Sequence, residues 1–423
     1  MVVNDKYTVE IESLEHNGRG VCHIDGRVVF AENALPGETV EIRITSVKKS
    51  LAEATVLHLL QKADNRVKSD CPYYKECGGC QFRHLQMDAQ RVFKENKVKE
   101  ILTKFAGLDS SYVKPILFND KVTYYRNKVT LKVDKKMGYC KNKSNKIVAI
   151  SSCKIAHPKI NETIELLHDY LPLENIREIV IRVSESTEET MVVLHVDGPI
   201  PEEYIVRTLG DFITTIVVHE YNKYYPLKGN GYITEKIKKR KFKISPESFF
   251  QVNSKCTELL YDKVLEYAAL TGKEMVLDLY CGTGTIGIYV SKYAKEVLGI
   301  ELNRYAFLDA NVNKQMNKVK NINFLCKDAA KVNERDKADV VIVDPPRAGL
   351  DARTVAFLKE TSPSKIVYVS CDPVTLARDI KLLSTDYQLQ EVTPVDMFPH
   401  TYHVESVSLL IHKNFEKCSK ESE

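Results

Sequence analysis

This chain carries very little net charge. Its 61 Lys and Arg stand against 57 Asp and Glu, leaving +4 over 423 residues. No apolar run approaches the ~20 residues that a membrane-spanning helix needs, which excludes a helical membrane protein. The opening MVVNDKYTVE lacks the basic-then-apolar pattern of a secretory leader, so none is expected. An odd count of 11 cysteines without a leader does not describe a secreted disulfide scaffold. A reducing, cytoplasmic setting is expected instead, with cysteines serving as packing, metal ligands or nucleophiles. A hydrophobic share of 43% and a charged share of 28% exclude a disordered chain. At ~100–200 residues per domain, the length implies about two to four domains.

The small net charge hides segregation. Residues 114–146 hold ten Lys/Arg and two acids, and residues 221–243 hold eight Lys/Arg and one acid. Residues 161–220 hold thirteen acids and three Arg. A run such as Lys238-Lys239-Arg240-Lys241 suits a polyanion, because neutralising phosphates releases counterions. A solvated lysine-rich surface would look the same. The interleaved Tyr124, Tyr125, Tyr139, Tyr221, Tyr224 and Tyr225 favour single-stranded nucleic acid, whose bases stack on rings. The two basic stretches are therefore expected to face RNA and the acidic block to face away.

Three parts are expected. Residues 1–62 alternate short apolar runs with turn residues, including the hairpin signal Asp25-Gly26, and predict a five-stranded OB-like barrel. The residues Asn17-Gly18-Arg19-Gly20-Val21, Val29-Phe30 and Ala34-Leu35-Pro36-Gly37-Glu38 resemble a TRAM domain, a small RNA-binding barrel. Residues 63–240 predict a central, β-rich α+β part. It opens with a cysteine cluster and a helix over 88–105, whose apolar face is Val92, Val98, Ile101, Leu102 and Phe105. From 241 to 423 strands and helices alternate. That predicts a doubly wound α/β sheet with a crevice at the strand C-termini.

A glycine loop sits in that crevice. Asp278 closes an apolar strand, and Gly282, Gly284 and Gly287 fit G-x-G-x-x-G. Glycine is needed where backbone must approach a cofactor or take positive φ. Glu301 ends the next strand, where a carboxylate can accept two ribose hydroxyls. Two features favour S-adenosylmethionine over NAD. Asp278 could reach an amino group on the methionine moiety. Asp344-Pro345-Pro346-Arg347 follows a later strand, where a dehydrogenase has no use for it, and resembles the substrate-facing motif of base-modifying methyltransferases.

Cys371 follows the strand 365–369 and precedes Asp372-Pro373, a helix cap and a first-turn proline. A helix N-terminus lowers a thiol pKa, so a thiolate nucleophile is expected there. Glu405 stands just before the last strand. If that strand is antiparallel, Glu405 shares a sheet edge with Asp344 and Cys371. Uracil methylation at carbon 5 needs such groups. Thiolate addition at carbon 6 makes carbon 5 nucleophilic, and a separate base must then remove the carbon-5 proton.

Five segments in order carry a resemblance over essentially the whole chain. They are residues 245–253 (SPESFFQVN), 278–287, 344–349, 370–373 (SCDP) and 399–405. Together they resemble the RNA uracil-C5 methyltransferases, with a class I S-adenosylmethionine-dependent fold. The barrel and cysteine cluster resemble the branch acting on 23S ribosomal RNA. The resemblance implies Cys371 as nucleophile and Glu405 as base. It implies Gln251, Tyr280, Gly282, Glu301, Asp328 and Asp344 at the cofactor, and a monomer. Thr285 stands where some relatives carry asparagine. A cytosine-C5 enzyme would want a cysteine where Arg347 stands. A non-catalytic RNA-binding factor would not need both Cys371 and Glu405.

Cys71, Cys77 and Cys80 spell C-x5-C-x2-C, which lacks one ligand for a four-thiolate site. Cys153 matches the family position and Cys140 is its rival. Iron–sulfur and zinc are both open from the spacing; the resemblance implies a 4Fe-4S cluster. Beyond Cys71, Cys77, Cys80, Cys153 and Cys371, six cysteines, Cys140 among them, have no assigned role.

Overall fold

A computed structural model describes residues 1–333 and 336–415; the unassigned Cys418 lies outside them. The chain forms two compact units. One comprises Met1–Lys97, Cys140–Lys146 and Phe398–Tyr402. The other comprises Val98–Tyr139, Ile147–Met397 and the residues from His403 onward.

The first unit contains β1 (Lys6–Glu10), β2 (Ser13–Leu14), β3 (Gly20–Ile24), β4 (Arg27–Glu32), β5 (Thr39–Val47) and β6 (Leu51–Gln61). They form one sheet in the order β1-β5-β6-β4-β3-β2. Strands β1 and β2 are separated at Ile11 and Glu12: Ile11 N–H still reaches Glu38 O at 2.9 Å, whereas Glu12 N–H turns to Val21 O at 2.8 Å. Alternation in β5 buries Val40, Ile42 and Ile44 completely. The β3–β4 hairpin turns on Asp25 and Gly26, both at positive φ (50° and 73°), as a type I′ turn requires.

Helix α1 (Met87–Ile101) begins in this unit and gives way to a π-turn over Leu102–Ala106, ended by Gly107 at φ 70°. Val98, Ile101 and Leu102 are buried as expected, but Val92 and Phe105 are exposed. Val92 lies six residues before Val98, roughly 240° round the helix, so it cannot share their face. The buried residues of the first half are polar instead: Gln90 and Lys94, both fully enclosed.

In the second unit, a sheet is ordered β13-β12-β11-β10-β7-β8-β9. Its strands are β7 (Lys128–Asp134), β8 (Lys136–Cys140), β9 (Ile147–Ala149), β10 (Ile176–Val183), β11 (Thr190–Val196), β12 (Thr215–Glu220) and β13 (Lys223–Lys228). Helices α2 (Pro158–Tyr170) and α3 (Glu202–Leu209) accompany it, the latter unforeseen in the strand-rich reading. The hairpin β14 (Ile233–Ile237) and β15 (Arg240–Ile244) follows. Several lysines of the basic stretches are paired internally. Lys238 reaches Asp262 Oδ2 at 2.6 Å, Lys121 reaches Glu185 at 2.6 Å, and Lys243 reaches Asp309 at 3.0 Å.

The doubly wound part of this unit contains α4 (Ser254–Ala268), β16 (Met275–Leu279), α5 (Thr285–Val290), β17 (Glu296–Glu301), α6 (Arg304–Met316) and β18 (Ile322–Cys326). It continues with β19 (Val340–Val343), α7 (Ala352–Thr361), β20 (Lys365–Ser370), α8 (Pro373–Leu383), β21 (Tyr387–Val395) and β22 (Glu405–His412). The sheet order is β18-β17-β16-β19-β20-β22-β21. The first five strands are parallel, and β22 runs antiparallel between β20 and β21. Central strands such as β19 are buried on both faces and read as apolar runs, as parallel strands must. The expected alternation of strands and helices from 241 to 423 came without bounds for the edge strand β18, which buries only Ile322 and Phe324 and so carries little apolar signal. Among the described residues, no helix is long and apolar enough to cross a membrane.

Gly284 sits at φ 76°, and a Cβ there would meet the Phe324 ring at 2.5 Å. Strain and overpacking combine, so Gly284→Ala should cost about 2 kcal/mol or more of unfolding free energy in urea melts.

Candidate active site

Strand β16 delivers Asp278 to the bottom of the crevice, where it has no exposure to solvent. Its Oδ2 accepts a hydrogen bond from Gly287 N–H at 2.8 Å, and its Oδ1 has no partner. Gly287 is required for this approach, since a Cβ would lie 2.9 Å from that carboxylate oxygen. Burial pushes the Asp278 carboxyl up to about 8, with the charges of Asp344 and Glu301 adding to the effect. The chain then turns through Tyr280 at φ 61° and Gly282 at φ 55°. A positive φ on a tyrosine is strained, and such strain gathers at functional turns.

This turn borders a cleft whose lining includes Phe249, Gln251, Tyr280, Gly282, Thr285 and Asp344. The segment 245–253 is strapped beside it by one buried acid. Asp309 on α6 accepts hydrogen bonds from Ser245 N–H and from the hydroxyls of Ser245 and Ser248. Asn253 ends the strap by capping α4 and donating to Met397 O at 3.0 Å. Glu301 accepts from Gly282 N–H at 2.9 Å and Asn303 N–H at 2.6 Å, which fixes its carboxylate against the glycine loop. Asp328 caps a short turn through Ala330 N–H, and its charge is felt by the Tyr280 hydroxyl. A Cβ on Gly282 would meet nothing within 4 Å, so its backbone faces open space. The unpartnered Asp278 oxygen and that open glycine fit a cofactor with an ammonium group and an adenosine.

The reacting edge is set by strand register. Ser370 of β20 pairs with Ser406 of β22, so Cys371 and Glu405 stand opposite one another one step past the last rung. Asp372 caps α8 by accepting from Val374 N–H at 2.8 Å, and Pro373 opens the helix, as the sequence leads one to expect. The helix terminus does not win electrostatically, however. Burial, together with the charges of Glu405 and Asp344 and against Arg347, pushes the Cys371 thiol up to about 12. Burial pushes Glu405 up to about 8 and Asp344 up to about 7. A ready-made thiolate is thus replaced by a thiol facing two proton-accepting carboxylates. Arg347, read in the sequence only as a missing cysteine, is exposed, hydrogen-bonds nothing in the described chain and favours charge on both Cys371 and Glu405.

Two further residues were invisible in the sequence. Asp379 of α8 is fully buried and accepts from Leu350 N–H at 2.8 Å and from the Tyr368 hydroxyl at 2.7 Å. Arg378 donates to Ala348 O and Leu350 O. Together they hold the loop that starts at Asp344. No motif signals them; only the close approach at Gly349, whose Cβ would touch both, hints at the constraint.

The cysteines are placed less simply. Gly78 N–H donates to Cys140 O at 3.0 Å and Cys77 bridges to Lys141, so Cys140 lies with Cys71, Cys77 and Cys80 in the first unit. Cys153 belongs to the second unit, where its backbone is clasped by the Asn161 amide. Among the described residues, no three His, Cys, Asp or Glu side chains are gathered to hold a metal. Arg83, buried, pairs with Asp70 and feels the charges of Cys80 and Cys71, while its Nε and Nη1 have no partner. Two partnerless nitrogens of a buried guanidinium beside thiols fit an anionic thiolate group.

Residues 86–413 match the family model for tRNA (uracil-5-)-methyltransferase, and residues 2–57 match that for the TRAM domain. The chain belongs to the uracil-5-methyltransferase family. It is similar to an uncharacterized RNA methyltransferase of Caldanaerobacter subterraneus, 39% identical over 96% of this chain and 98% of the relative. One from Halalkalibacterium halodurans is 35% identical over 97% and 98%. Among solved structures it resembles the Pyrococcus abyssi tRNA (uracil-54, C5)-methyltransferase in complex with S-adenosyl-L-homocysteine. That match has a TM-score of 0.79 and 31% identity, covering 96% of this chain and 99% of the other. The protein is therefore an RNA uracil-5-methyltransferase using S-adenosylmethionine, with a class I fold and an N-terminal TRAM domain.

The raised carboxyls carry a stability signature. A group whose folded pKa lies above its unfolded value near 4 stabilises at low pH and loses that contribution as pH rises through the folded value. Replacing Glu405 by Gln removes one such group. The stability of Glu405→Gln relative to the parent should rise from pH 5 to about pH 8 and level off above, in denaturant melts. A relative stability that stays flat or falls would contradict the burial of Glu405.

Proposed function

We propose that this chain methylates carbon 5 of a uridine in 23S ribosomal RNA, with Cys371 as nucleophile and Glu405 as base. The observation that carries the chemistry is the opposition of Cys371 and Glu405 across the end of the β20–β22 ladder, with Asp344 coupled to both. The Cys371 sulfur bonds to carbon 6 as its proton passes to a neighbouring carboxylate, and the ring electrons move toward carbon 5. The cofactor supplies a sulfonium methyl, which carbon 5 takes. Glu405 then removes the carbon-5 proton, the 5,6 double bond re-forms, and the carbon–sulfur bond breaks to release Cys371.

Around the cofactor, Asp278 offers its unpartnered oxygen to the ammonium and Glu301 receives the ribose. Gln251, Tyr280, Gly282 and Asp344 border the cleft, with Asp328 behind Tyr280. A 4Fe-4S cluster would be held by Cys71, Cys77 and Cys80 with Cys153 as the family-matching fourth ligand or Cys140 as its rival, and the partnerless nitrogens of Arg83 fit its negative charge. Bound there, the cluster would supply a cross-link among these segments. Iron and sulfide analysis, against zinc, tests it. The basic stretches at 114–146 and 221–243 bind RNA, and the enzyme works as a cytoplasmic monomer.

The solved relative that acts on tRNA uracil-54 favours a second reading, in which the substrate is tRNA. Unmodified 23S and tRNA transcripts, each incubated with methyl-labelled S-adenosylmethionine, separate the two. Label should enter 23S RNA as 5-methyluridine, Cys371→Ala should abolish it, and Glu405→Gln should trap a covalent protein–RNA adduct. Label in tRNA alone would replace the first reading by the second.

A further inference from the structure

The buried polar face of α1 has no role in the chemistry so far. Gln90 is fully enclosed and uses both ends of its amide. Its Oε1 accepts from His400 N–H at 2.9 Å, while its Nε2 donates to Phe82 O at 2.9 Å and Leu85 O at 2.7 Å. His400 O in turn accepts from Gln81 N–H at 3.0 Å and Phe82 N–H at 2.9 Å. One turn along the helix, the enclosed Lys94 ammonium donates to Phe398 O at 2.9 Å. A further turn places Lys97 on Tyr402 O at 3.1 Å.

Three side chains at successive turns of α1 thus hold the backbone of one five-residue loop. His400 sits at φ 69°, a left-handed conformation that a residue with a Cβ keeps only when its surroundings enforce it. An enclosed lysine is costly to bury, and a glutamine satisfied at both ends is a rigid clamp. What they hold is the segment that runs directly into β22, whose first residue is Glu405, three residues after Tyr402.

We propose that Gln90 and Lys94 are positioning residues for Glu405, holding the 398–402 loop so that the carboxylate meets the carbon-5 proton. The inference rests on the reading of Glu405 as the base. It assigns a purpose to the buried polar face of α1. It also predicts a specific fault: without the clamp, thiol addition and methyl transfer proceed but proton removal lags.

The test is single-turnover reaction with labelled cofactor and an RNA substrate of the parent enzyme, scoring covalent protein–RNA adduct and free methylated RNA separately. Gln90→Met keeps the volume of the side chain and removes its hydrogen bonds; Lys94→Met keeps the stem and removes the ammonium. In each variant that folds, methyl transfer into adduct should stay within about threefold of the parent. Release of methylated RNA should slow at least about tenfold, so that methylated adduct accumulates as it does in Glu405→Gln. Parental release rates in the folded variants would overturn the proposal, as would equal loss of methyl transfer and release. Failure of Glu405→Gln itself to trap adduct would instead reject the assignment of the base.

Discussion

The antiparallel docking of β22 against β20 is the constraint on which the site depends. Every other strand of the sheet from β16 to β20 runs parallel, and parallel strands put all their C-termini at one edge. A residue at the start of a strand would normally lie at the far edge. Reversing β22 brings Glu405, its first residue, beside Cys371, just beyond the last residue of β20. The proposed base and nucleophile, from segments 34 residues apart in the chain, thereby stand opposite one another.

Burial then sets how these groups behave. Burial raises the carboxyls of Asp278, Asp344 and Glu405, and the charge of Asp344 adds to the rise at Asp278 and Glu405. The Cys371 thiol is raised for the same reasons. Such a site is least comfortable when fully ionised. A cationic methyl donor would relieve that repulsion, which ties the binding of the donor to the ionisation of the Cys371 thiol. Arg347 acts in the same direction from the rim.

Much of this was legible in the sequence because it is local. The G-x-G-x-x-G turn, the Asp372-Pro373 helix start and the period-two pattern of β5 each follow from neighbouring residues. The edge strand β18 was missed because a half-exposed strand has too few apolar residues to show. The face of α1 was misread because apolar residues were assigned to it, whereas Gln90 and Lys94 occupy half of it. A buried glutamine and a buried lysine have no sequence signature, since their partners lie some 300 residues away. The raised thiol was missed for a related reason: a helix terminus is visible in sequence, but two facing carboxylates from other strands are not.

The central claim is that Cys371 bonds to carbon 6 and that removal of the carbon-5 hydrogen is a separate, later step. Substrate RNA carrying 5-fluorouridine tests both at once, because fluorine replaces the hydrogen that the base must remove. Mass spectrometry of the digested product should find fluorouridine plus one methyl group attached to the peptide containing Cys371. Attachment at another cysteine, or methylated RNA released without any protein adduct, would contradict the account.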